Sequence, residues 1–193
     1  MEMRTEGPVK TRREGAILEV TLDAPKANAI SLKTSRVMGL VFRDFRDDAT
    51  LRVCILRAEG EKFFCPGWDL KAAAEGDAVD GDYGVGGFGG LQELPNLNKP
   101  VIAAVNGPAA GAGLSFACAC DLRVAADTAT FVPGFVGIGL VPDAGGTWFI
   151  HRLLGFARAF EWMSSNTRLT AAEAQEWGLV SEVIPAESFA ERV

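Results

Sequence analysis

Residues 16–23, AILEVTLD, alternate apolar and polar positions, the period of a strand with one buried face. A Pro25–Asn28 turn follows. Behind Ser31 the period changes: Val37, Met38, Leu40, Val41, Phe42 and Phe45 recur at helical spacing after a residue suited to cap a helix. LRVCILRA (51–58) reads as the next strand, and PVIAAV (100–105), apolar almost throughout, as a strand buried on both faces. The intervening EKFFCPGWDLKAAA is broken by Pro66 and Gly67. It leads into GDAVDGDYGVGGFGG (76–90), a long loop that is either a lid or an insertion. GPAAGAGLSFACACD (107–121) turns through glycines into an apolar helix. DLRVAAD and ATF are short strand candidates, and FVPGFVGIGLVPDAGG is a punctuated apolar loop. Asp143 is placed to cap a helix carrying Trp148, Phe149 and Leu153, and a second helix covers roughly 156–164. A third starts at Thr170, with Glu173 completing a capping box, and stops at Gly178; LVSEVI closes the series as a strand and AESFAERV is helix-like. Repeated strand, strand, helix units predict an α/β protein with helices covering sheet faces.

Composition narrows this without changing it. The 193 residues are 48% hydrophobic, enough for one substantial core, so one domain over 1–193 is expected. A formal charge of −6 argues against a nucleic-acid partner, which calls for a basic face. Neither a leader-like apolar start nor a charge-free stretch of bilayer length is seen, so a cytoplasmic protein without a membrane partner is expected. Cys54, Cys65, Cys118 and Cys120 lack paired CxxC spacing and partner histidines; they read as reduced core residues, and no metal site is expected. His151, the one histidine, sits beside Arg152 as a surface or packing residue, and Trp148, Trp162 and Trp177 read as core.

The turn at 107–121 carries the candidate chemistry. It lacks the Gly-Lys-Ser/Thr of a P-loop, and against the dinucleotide fingerprint Gly111 and Gly113 match while the third position falls on Phe116. What remains is a helix start, Gly111 to Leu114, with small side chains and unpaired N–H groups that attract partial negative charge. With no cation beside it, a carbonyl oxygen that becomes an oxyanion during reaction suits it better than a phosphate. Close packing of the helix on a sheet is the competing reading. KFFCPGWDL supplies a second donor-like turn.

PKANAIS, GEKFFCPGWDLKAAAEG, NKPVIAAVNGPAAGAGLSFACACDLRVAAD, IGLVPDAGGTWF and LTAAEAQEWGLVSEVI, in this order, resemble the crotonase or enoyl-CoA hydratase/isomerase family. The first half is most similar to carnitinyl-CoA dehydratases, and the part after residue 106 to ring-opening isomerases of phenylacetate degradation. The resemblance implies a spiral of ββα units with the usual C-terminal helical region shortened or missing. It implies an acyl-CoA substrate whose CoA enters as part of the thioester, with no separate cofactor, and a homotrimer or hexamer. By position, the backbone N–H groups of Trp68, after Gly67, and of Ala112 are the oxyanion donors. Lys26, Ala27 and Ala29, with Gly67, Asp69 and Leu70, line the CoA path, Lys26 being either near its phosphates or a solvated surface lysine. The two glutamates of typical hydratases are replaced by Ser115 and Phe135, which the resemblance puts in the substrate pocket. Asp143 is the carboxylate left, either as acid and base or only as a helix cap. Tyr83 and Asp82 are candidates for touching the acyl group. A double-bond isomerase is therefore the first expectation, a hydratase or dehydratase the alternative, and a non-catalytic CoA-thioester binder the third.

Overall fold

The computed structural model describes residues 2–78 and 81–193; Val79 and Asp80 of the glycine-rich stretch lie outside the described residues. In chain order the elements are β1 (Glu2–Glu6), β2 (Val9–Glu14), β3 (Ile17–Leu22), α1 (Leu32–Asp47), β4 (Val53–Ala58), α2 (Leu70–Ala74), β5 (Val101–Val105), β6 (Ala109–Ala110) and α3 (Ala112–Cys118). There follow β7 (Leu122–Ala126), β8 (Thr130–Val132), α4 (Gly146–Leu154), α5 (Phe156–Ser165), β9 (Leu169–Thr170), α6 (Ala171–Glu176), β10 (Glu182–Ile184) and α7 (Ala186–Arg192). A seven-stranded sheet runs in the order β1-β2-β3-β4-β5-β7-β10, and β6-β8-β9 form a second, three-stranded one.

The large sheet changes character along its width. From β3 to β10 its pairs are parallel, with Leu18 opposite Cys54 and Cys54 opposite Val101, whereas β1, β2 and β3 pair antiparallel. The parallel strands need crossovers, and α1 and α3 supply two of them. β1 and β2 had no clear signature in the sequence, because EMRTE has Met3 as its one apolar residue and VKTRRE has Val9 as its one, with charges on three successive positions at Arg12–Glu14. β2 adds ion pairs toward β3: Arg12 lies opposite Glu19, with its guanidinium 2.8 Å from the carboxylate, and Lys10 Nζ is 2.7 Å from Asp23.

The helices follow their end signals. Ser31 caps α1 by accepting from the Thr34 N–H, and Lys99 Nζ donates to the Phe45 and Asp48 carbonyls at the other end, at 2.7 and 2.6 Å. Met38, Phe42 and Phe45 are buried along one face, each burial contributing about 1.5–3 kcal/mol, while Leu40 of the same apolar run faces out. The Thr170–Glu173 capping box is present at α6. Asp143 is not a cap: α4 begins at Gly146 with Gly145 as its N-cap, in the left-handed region at φ +75°. Trp162 is buried in the core and Trp177 packs edge-on against it, but Trp148 is exposed, with the Arg152 guanidinium 3.1 Å above its ring. A cation over an aromatic face keeps an indole on the surface without burying it.

Two features position the site. Every residue of α3 is buried, so its amino end is fixed by packing on all sides. The segment 83–90 is anchored to α1: the buried Ser35 hydroxyl contacts the Tyr83 and Gly87 carbonyls at 3.1 Å and accepts from the Gly89 N–H at 3.0 Å. This part of the glycine-rich stretch is therefore a pinned wall and not a loose insertion. No described helix is long and apolar enough to cross a membrane.

Candidate active site

The two glycine turns meet backbone to backbone. Ala110 N–H donates to the Cys65 carbonyl at 3.0 Å, so residues 65–68 run beside the entry to α3. A Cβ on Gly113 would stand 2.2 Å from the Cys65 oxygen, and one on Gly67 would stand 2.9 Å from the Ala112 nitrogen. Gly67 also sits at φ +100°, a region that side chains disfavour. Both glycines are thus required for the approach that sets Trp68 next to Ala112.

The directions of the two amides follow from the local pairing. Ile30 N–H donates to the Gly67 carbonyl and Asp69 N–H to the Ile30 carbonyl, at 2.8 and 3.0 Å. Successive amides along an extended segment alternate, so the Trp68 N–H between these bonds faces away from Ile30. Ala112 is the first residue of α3, and its N–H has no intrahelical acceptor. Neither amide has a hydrogen-bond partner among the described residues.

Both residues line a cavity of about 450 Å3. Leu70, Tyr83, Phe88, Gln92, Glu93, Phe135, Ile138, Leu140 and Asp143 share its wall. Asp143 retains solvent access, and desolvation by the pocket raises its pKa above the ordinary carboxylate value. Cys65, beneath the turn, is no nucleophile: burial pushes its thiol up to about 12. Two side-chain donors of wall residues, Trp68 Nε1 and Gln92 Nε2, are buried and have no partner among the described residues. Such donors carry an uncompensated desolvation cost.

The expected site residues divide. Trp68, Ala112, Leu70, Phe135, Asp143 and Tyr83 come together on this wall. Ser115 does not: it is fully buried, its hydroxyl 3.5 Å from the Gly111 carbonyl and 3.3 Å from that of Asp143. At one helical turn from Gly111 its short side chain reaches backbone and not cavity. Asp69 caps α2, accepting from Lys71 and Ala72 N–H at 3.0 and 3.2 Å. Lys26, Ala27 and Ala29 are off the cavity wall, although the pairing of Ile30 places their turn along the Gly67–Asp69 edge. Asn28 pins that turn by donating to the Glu59 and Phe63 carbonyls, both at 3.0 Å. Asp82 is exposed, off the wall, and accepts from Gly84 N–H at 2.8 Å. Gln92, Glu93 and Phe88 had no signal in the sequence, since they lie in irregular chain with no periodicity to mark a face.

This pair of open amides over an apolar cavity, on this sheet, defines a class. The enoyl-CoA hydratase/isomerase family model matches residues 12–193, and the chain belongs to that family. Among curated relatives, the carnitinyl-CoA dehydratase of Escherichia coli (strain K12) is 54% identical over 172 residues, covering 89% of this chain and 66% of the relative. That of Citrobacter koseri is 52% identical over 177 residues, covering 92% and 68%. The chain spans about two thirds of the length of these relatives. Among solved structures, an enoyl-CoA hydratase from Mycobacterium tuberculosis H37Rv superposes with a TM-score of 0.87 at 35% identity, covering 97% of this chain and 73% of that one. A carnitinyl-CoA dehydratase from Mycobacterium avium 104 gives 0.87 at 34% identity, covering 96% and 73%.

Proposed function

We propose that this acyl-CoA enzyme removes the proton next to the thioester, holds the enolate oxygen on the Trp68 and Ala112 amides, and completes a dehydration or its reverse, a hydration. The observation that carries this reading is that Asp143 shares one cavity with both unpartnered amides. Preorganised donors act where charge develops, so the oxygen gains most from them as the enolate forms. Asp143 accepts the proton from the carbon next to the thioester and hands the same proton to the hydroxyl leaving from the adjoining carbon. The products are an enoyl thioester and water. One carboxylate suffices for this.

One observation supports dehydration ahead of isomerisation: the carnitinyl-CoA relatives cited above are named dehydratases. Double-bond isomerisation is the second reading, favoured by the apolar Phe135 and the tied-off Ser115, which leave no second carboxylate at those positions to activate water. The CoA path along Lys26, Ala27, Ala29, Asp69 and Leu70, and a homotrimeric or hexameric assembly, belong to the same proposal; light scattering tests the assembly.

The test compares hydroxyacyl-CoA dehydration with movement of the double bond in an enoyl-CoA isomer, for wild type and Asp143→Asn. Dehydration that collapses in the variant is expected. Water addition that survives the substitution overturns the role of Asp143; turnover confined to double-bond movement selects the second reading, and tight binding without turnover overturns both.

A further inference from the structure

Asp143 and the Ala112 amide sit on separate stretches of chain, and a buried hydroxyl off the cavity wall joins them. Asp143 lies in irregular chain beside exposed residues: Ile138 and Val141 are 63% and 79% exposed. Ala144 after it takes the left-handed conformation at φ +48°, and Gly145 follows at φ +75°, so the turn depends on its surroundings to hold it. Gly134, near the start of this stretch, donates its N–H to Asn166 Oδ1 at 2.7 Å. At the other end the Asp143 carbonyl accepts from the Gly146 N–H at 2.7 Å and from the Ser115 hydroxyl at 3.3 Å. Ser115 is fully buried on α3, and its own N–H closes the first turn of that helix on the Gly111 carbonyl at 3.1 Å. Ala112 belongs to the same turn. The hydroxyl also lies 3.5 Å from the Gly111 carbonyl, but its one proton has the shorter contact with Asp143. α4 approaches α3 closely at this point: a Cβ on Gly146 would stand 2.7 Å from Ser115 Oγ.

We propose that Ser115 is a positioning residue: its hydroxyl ties the main chain of Asp143 to the first turn of α3 and so fixes the carboxylate relative to the Ala112 amide. The proposal rests on the reading of Asp143 as acid and base above. α3 is buried along its whole length, so its first turn is a rigid reference, whereas Asp143 sits on a turn with a left-handed alanine and exposed neighbours. The Asp143 carboxylate takes a hydrogen bond from its own backbone N–H, so a main chain held in place holds the carboxylate with it. Proton removal and enolate stabilisation act on neighbouring atoms of one thioester, and a misplacement of about 1 Å costs such an arrangement up to about 10²-fold in rate. The hydroxyl thus serves the reaction without touching the substrate.

The test is a double-mutant cycle of Ser115→Ala and Asp143→Asn, run on whichever of the two reactions above the wild type performs. Ser115→Ala is expected to lower kcat about tenfold with KM within about twofold, and to have less than about a twofold effect in the Asp143→Asn background. Gly146→Ala reaches the same contact from the other side, because its methyl displaces the hydroxyl, and is expected to reproduce the loss of kcat. Wild-type kcat in either single variant overturns the positioning role and leaves the acid and base reading standing. An equal loss from Ser115→Ala with and without the Asp143 carboxylate, or a loss carried by KM, overturns it in the same way. Unchanged turnover in Asp143→Asn alone overturns the acid and base reading and the positioning role with it. A Ser115→Ala chain that fails to fold leaves the decision to Gly146→Ala in the same cycle.

Discussion

Asp143 is a carboxylate whose surroundings favour its protonated form, since desolvation raises its pKa and no cation on the wall opposes it. Two consequences separate a working residue from a structural one. Asp143→Asn is expected to lower turnover by about 10²-fold or more, with the acid limb of the wild-type kcat/KM profile lying above the ordinary aspartate pKa of about 3.9. Stability moves the other way. A carboxylate with a raised folded pKa favours the fold most at low pH and loses that contribution as pH rises through the folded value. Asn at this position is therefore expected to leave the neutral-pH melting temperature unchanged or higher. A variant that loses activity by unfolding contradicts this. Ala112→Pro isolates the other half of the site. Proline is tolerated at the first position of a helix, so the change removes the N–H with little harm to α3. Turnover is expected to fall about 10²–10³-fold with an intact circular dichroism spectrum. Both amides were named by the family resemblance, position for position; the glycine turns by themselves left close packing of the helix on a sheet as a competing reading. The fate of Ser115 was not legible, because whether a short hydroxyl reaches cavity or backbone depends on a contact with Asp143 that lies 28 residues along the chain.

Among elements, those with strong end signals were readable. Ser31 and Thr170 cap where their spacing to the following apolar face or to Glu173 places them, and Thr170→Ala is expected to cost about 1 kcal/mol in chemical denaturation. α4 was misread at its start because Asp143 precedes a helix at plausible distance, yet the left-handed Gly145 supplies the turn and frees the carboxylate for the cavity. β1 and β2 escaped notice because neither has a buried stripe: residues 3–6 are exposed, and only Val9 of β2 is fully buried. Gly113→Ala tests the contact between the two glycine turns. Its methyl meets the Cys65 carbonyl backbone, so a loss of about 1–3 kcal/mol is expected together with a fall in turnover.

For the whole molecule, periodicity and segment order implied an α/β protein, and the resemblance supplied the spiral. Strand order was not readable from local pattern, because β5 pairs with β7 and β7 with β10 across intervening helices. The groups that join these distant parts are also silent in sequence. Arg123 is buried without a carboxylate; its Nε donates to the Leu179 carbonyl at 2.7 Å and its Nη1 to that of Cys120 at 2.6 Å, tying the end of α3 to the segment before β10. Arg123→Met is expected to cost about 3 kcal/mol, read as a fall in melting temperature of roughly 6–12 °C.

The convergence of the Trp68 and Ala112 amides on one thioester oxygen is tested most directly by the carbonyl stretching frequency of a ¹³C-labelled acyl-CoA bound to the protein. Polarisation by two donors lowers that frequency relative to the thioester free in water, and Ala112→Pro restores part of the difference. A bound carbonyl that vibrates as it does in solution, or a lowered frequency indifferent to Ala112→Pro, contradicts the account.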